Sequence, residues 1–126
     1  MDSGDLRGIG HAKAACEHIQ GLNRATMGER DQLPSETAEQ LGELAALAAA
    51  LPQAFSQLST LLEQALETQV LSMAAASTET DPAMAIGVAC LYLEEARGYA
   101  VDLHKLLDAA NQATLHVLSD GVGDGG

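Results

Sequence analysis

Metal or nucleophilic chemistry in this chain would have to come from four histidines and two cysteines. His11 and His18 stand seven apart, so they share a helix face, with Cys16 nearby in sequence. Helical metal pairs use spacings of three or four, and no Glu-x-x-His occurs. His104 and His116 are twelve apart, too far to chelate together unaided. We read these as surface or boundary histidines and expect no metal site and no cofactor. Cys16 and Cys90 form no disulfide pattern, and no basic residue stands beside Cys90 to activate its thiol. Both are read as reduced and partly buried, and Cys90 as inert.

Acid–base catalysis would draw on Glu94, Glu95, Asp102 and Asp108. Catalytic carboxylate pairs need a cleft and opposed environments, and a solvated acidic face is the simpler reading. Tyr92, Tyr99 and His104 form a candidate interhelical pocket for a small ligand, although core filling suits the two tyrosines better. No phosphate-binding glycine loop, Ser-His-Asp order or zinc spacing is present. The expectation is a protein that is not an enzyme.

The elements that would position these residues are helices. The 126 residues suit one domain, 47% hydrophobic, 2% aromatic and without tryptophan. Abundant alanine and scarce β-branched residues predict an all-α protein. A core without large aromatics is thin, so helices must approach closely or bury area against another chain.

The first helix is expected over 9–27, with Ile9, Ala12, Cys16, Ile19 and Asn23 on one side and Gly28 as a left-handed cap. The second runs over 35–76, starting at Ser35 as N-cap. Its seam combines Leu41, Ala48, Phe55 and Leu62 with Leu44, Leu51, Leu58 and Ala65, flanked by Leu47, Ala54 and Leu61. A stripe so wide asks for at least two helical neighbours. Pro52 falls inside it, and the unbroken phase favours a kinked helix over two separate ones. Residues 77–81 make a polar turn. Asp81 and Pro82 then open a third helix over 82–118. Its expected seam takes Ala89, Ala96, Leu103, Ala110 and Val117 with Tyr92, Tyr99, Leu106 and Ala113. Gly87 and Gly98 fall off that seam. Residues 1–8 and 119–126 are expected to be disordered. The fold follows: a long antiparallel hairpin with a shorter N-terminal helix beside its first half. That gives a three-helix bundle, or a four-helix bundle on dimerisation.

Formal net charge is −12. Up to Pro34 there are four cations against five acids; from Ser35 on there are two against thirteen. Such a surface repels phosphate backbones and anionic headgroups, so neither nucleic acid nor membrane is the expected partner. No apolar run is expected to approach the length needed to span a bilayer, and the N-terminus lacks a signal-peptide layout, giving a cytoplasmic expectation.

From Ala83 to Leu93 no residue is charged, and Val70, Leu71 and Met73 approach the turn that Met84, Ile86, Val88, Leu91 and Leu93 leave. These eight are the candidate interaction patch, since one hairpin partner cannot cover a helix apolar on every side. The expected function is a helical interaction module: adaptor, regulator, small chaperone-like subunit or homodimer. Its partner would be a second copy or another helical protein. The alternatives are a small-ligand or metal carrier and an acidic inhibitor imitating nucleic acid.

LPQAF at Leu51–Phe55 and TDPAMAIGVA at Thr80–Ala89 resemble segments of small alanine-rich helical proteins from high-GC bacteria. That resemblance spans roughly residues 33–118 and implies no activity. A hairpin of this size is also similar to the secreted WXG-type effectors. The chain departs from them in having no tryptophan and no Tyr-x-x-x-acid tail, with Ala96 after Tyr92 and Leu103 after Tyr99.

Overall fold

The computed structural model describes residues 8–75 and 77–118. They form three helices, α1 (Ile9–Thr26), α2 (Pro34–Thr68) and α3 (Pro82–Thr114), and no strand among the described residues. The chain divides into two compact units, one holding α1 and the other holding α2 and α3. The segments expected to be disordered lie outside the described residues, apart from Gly8.

In the first unit, Gly8 precedes α1 with φ of 83°. Met27 N–H returns to the Asn23 carbonyl, and Gly28 follows with φ of 76°, the left-handed geometry expected of it. Cys16 is exposed rather than partly buried, and Ile19 and Leu22 are α1's only half-buried large apolar side chains.

In the second unit, α2 and α3 pack together as an antiparallel hairpin. The start of α2 differs from expectation. Pro34 takes the first helical position and Leu33 is the N-cap residue, with Glu36 Oε1 accepting the Leu33 N–H at 3.1 Å. Ser35 is therefore inside the helix. Proline at the first turn loses nothing there, and the glutamate reaches back to pair the N-cap N–H, while no side chain caps the helix in the serine's manner. At α3 the expectation holds: Asp81 Oδ1 accepts the Ala83 N–H at 3.0 Å and Pro82 is the first helical residue.

α2 ends at Thr68, not near residue 76. The hairpin register supplies the reason. Cys90 Sγ–H points to the Ser59 carbonyl at 3.8 Å and His104 Nδ1 lies 3.0 Å from the Ala45 carbonyl. Eight residues back from Cys90 is Pro82, and eight on from Ser59 is Glu67. Beyond Thr68, α2 would have no α3 to pack on, and short helices without tertiary contacts are marginal. At the other end the same register sets Thr114, where α3 stops, level with Ser35. Residues 69–81 are the connector, longer than the five-residue turn expected.

Pro52 lies within α2 without ending it. The four buried residues of the hairpin are all alanines: Ala38, Ala45, Ala48 and Ala100. Leu41, Phe55 and Leu62 are half-buried beside them on α2, and Ile86, Leu93 and Leu107 on α3. Small side chains at the contact let helix axes come toward the lower end of the usual 8–10 Å separation.

Candidate functional site

Two kinds of residue on the hairpin are candidates for function: polar groups caught in the seam, and apolar groups left out of it. The seam polar groups lie on α3 at seven-residue steps, Cys90, Arg97, His104 and Asn111. That spacing returns a side chain to nearly the same side of a helix. Cys90 and His104 meet α2 carbonyls as described. Asn111 Nδ2 lies 3.4 Å from the position a Cβ on Gly42 would take, so Gly42 makes room for it. Arg97 turns instead along α3 to Glu94, at 2.9 and 2.6 Å.

The Arg97 guanidinium holds the Glu94 carboxyl below the usual carboxylate range, and Glu94 raises Arg97 in turn. A lowered acid adds stability at neutral pH that disappears as pH falls through its folded value. The pair is solvent-exposed, so this contribution is small. Glu94, Glu95, Arg97, Gly98, Tyr99, Val101 and Asp102 line a shallow hollow open to solvent. Tyr99 Oη–H donates to Glu95 Oε1 at 3.4 Å. Among the described residues no group of three or more His, Cys, Asp or Glu side chains is arranged to hold a metal.

Asn111 Oδ1 is buried without a hydrogen-bond partner. A buried acceptor left unpaired costs about 1–3 kcal/mol, while an apolar group of like shape carries no such penalty. Asn111→Leu is accordingly expected to raise unfolding stability by about 1 kcal/mol in urea titration. A loss would mean that the amide has a partner in solution.

The pocket candidates are not brought together. His104 faces α2, whereas Tyr92 and Tyr99 are 69% and 66% exposed on the open side of α3. The expected α3 seam is thus turned by one residue. Leu93, Ala100 and Leu107 face α2, and Tyr92, Tyr99 and Leu106, each one position earlier, do not. On α2 the Leu41–Ala48–Phe55–Leu62 half of the expected seam does lie along α3. Its true companion row is Ala38, Ala45, Pro52 and Ser59, while Leu58 of the row Leu44–Leu51–Leu58–Ala65 is exposed. Gly87 and Gly98 have open space where a Cβ would sit, so neither serves a close approach within the hairpin.

Of the eight patch residues, Val70, Met84, Val88 and Leu91 are exposed, and Leu71, Met73, Ile86 and Leu93 are half-buried. Val70, Leu71 and Met73 lie on the connector rather than on a helix. The open apolar surface runs far beyond this turn. It includes Leu47, Leu58 and Leu61 on α2, and Tyr92, Tyr99, Leu103 and Leu106 on α3. These flank residues were missed as a surface because their helical spacing is that of a core.

No charge occurs between Glu43 and Glu63, and by length and composition α2 passes as a membrane-crossing helix. This corrects the expectation that no run is long enough. Alanines account for the difference, because they raise the apolar length without a conspicuous hydrophobic block. Gln53, Ser56, Gln57, Ser59 and Thr60 break the same stretch.

Comparison with protein-family models, with curated proteins and with solved structures found no match.

Proposed function

We propose that the chain is a non-enzymatic helical protein–protein interaction module that works as an adaptor, regulator or dimerisation protein. One observation carries this reading. The hairpin buries only alanines completely, while Leu58, Leu61, Tyr92, Tyr99 and Leu106 stand in solvent. Fully burying a leucine-sized side chain contributes about 1.5–3 kcal/mol. Several such gains go unused in the hairpin and are released when another surface covers them.

Replacing Leu47, Leu58 or Leu61 with glutamine tests this at concentrations low enough to keep the chain monomeric. Each variant should unfold within about 0.5 kcal/mol of the parent, as surface substitutions do. A loss above about 2 kcal/mol in each, independent of concentration, would place these leucines in the chain's own core and end the proposal.

A further inference from the structure

The exposed Leu47, Leu58 and Leu61 of α2 and the exposed Tyr92, Tyr99, Leu103 and Leu106 of α3 share one side of the hairpin, with Leu44, Leu51 and Ala54 half-buried in the same α2 row. On α2, Leu44, Leu47, Leu51, Ala54, Leu58 and Leu61 each stand one residue before a position that faces α3. On α3, Tyr92, Tyr99, Leu103 and Leu106 each stand one residue before a position that faces α2. Two antiparallel helices are related by a local two-fold axis perpendicular to their common plane. That axis carries the upper side of one onto the upper side of the other. A one-residue step back from the seam therefore emerges on the same side in both. The register sets Leu61 level with Val88 and Leu44 level with Lys105, so the rows also coincide lengthwise.

We infer that this side docks on the same side of a second copy of the chain, closing a four-helix bundle. The inference rests on the interaction-module reading and names its partner. Three features favour a second copy. The α2 row steps alternately by three and four residues, with bulky leucines on both sides of Ala54. Turned about a two-fold axis midway between Leu51 and Ala54, Leu47 meets Leu58 of the second copy and Leu44 meets Leu61 of the second copy, the self-complementarity an isologous interface requires. The row has no charge from Leu44 through Leu61, and the antiparallel arrangement keeps Glu43 away from Glu43 of the second copy. The open area is about 26 Å long and two helices, about 20 Å, wide. That footprint, about 520 Å² on each copy, reaches the roughly 1,000 Å² in total that a specific interface needs.

Net charge of −12 on each copy opposes association, so salt should strengthen it by screening, the reverse of what a basic partner would show. The test is sedimentation equilibrium of the full chain from low to high micromolar concentration. Mass should rise from 13.0 kDa to twice that value, at lower concentration when salt is added. Leu58→Glu should weaken association by about 100-fold or more while keeping the helical circular dichroism of the parent, because the charge would be buried without a partner. Val70→Glu, at the turn, should leave it intact. A monomer at every concentration overturns the second-copy inference. So does dissociation by Val70→Glu but not by Leu58→Glu. In either case the interaction-module reading is judged separately, by the leucine-to-glutamine series at low concentration. Flotation of the chain with phosphatidylcholine vesicles, lost in Leu58→Glu, would assign the surface to a membrane and also overturn the inference.

Discussion

Ala48→Leu is expected to destabilise the hairpin by about 3 kcal/mol, the upper end of what added methylenes cost in a packed core. For a chain of this length that is a fall of roughly 10 °C in the thermal midpoint. Ala48 is 1% exposed, the least accessible residue described, and its side chain meets α3 where the backbones run close. Three added carbons must push the helices apart or twist off their preferred rotamers. Thermal unfolding followed by circular dichroism decides the matter. The comparison with Leu61→Ala in dilute solution is the informative one. An alanine-seamed hairpin predicts that enlarging Ala48 is costly and trimming Leu61 nearly free. A leucine-cored hairpin predicts the reverse order.

Pro52→Ala should move stability the other way, by up to about 3 kcal/mol, the difference between these residues inside a helix. Proline has no N–H to return to the Ala48 carbonyl, and its ring crowds the preceding turn. α2 nonetheless continues through it to Thr68. An alanine at this seam position has the same bulk as Ala38 and Ala45, which already face α3. The expected outcome is a higher midpoint in urea with an unchanged slope. A lower midpoint would show that α2 needs proline at this position to follow α3.

Much of this architecture was legible in the residues. Alanine abundance foretold a helical chain with close backbones. Asp81–Pro82 marked the start of α3, and Gly28 the left-handed turn after α1. The hairpin itself follows from two long periodic segments. What was not legible has physical causes. Periodicity shows that a helix is apolar on one side; it does not show which of several neighbouring rows is the contact. Seven-residue spacing assigns the α3 seam to Tyr92, Tyr99 and Leu106, along with Ala113. The structure gives it to Leu93, Ala100 and Leu107, with Cys90, His104 and Asn111 alongside. A close seam selects side chains that fit, and polar ones are tolerated where they reach a carbonyl, as Cys90 and His104 do. The end of α2 was hidden for a related reason. Nothing local stops a helix at Thr68; the proline that starts α3 limits how much of α2 has a partner.

The exposed apolar surface was half legible. The absence of charge near the turn pointed to Met84, Val88 and Leu91, which are exposed. The longer flank was concealed because Leu47, Leu58 and Leu61 have the spacing of a core, and a row left open to solvent looks the same in sequence as one that is covered.

The two tyrosines, in a chain without tryptophan, report this flank without a label. Tyrosine absorbance under solvent perturbation, followed from dilute to concentrated protein, is therefore the most direct test. The account predicts that Tyr92 and Tyr99 are accessible at the lowest concentration and become protected as chains associate. Protection already complete in the dilute monomer would contradict it, because the side of the hairpin assigned to a partner would then be covered by the chain itself.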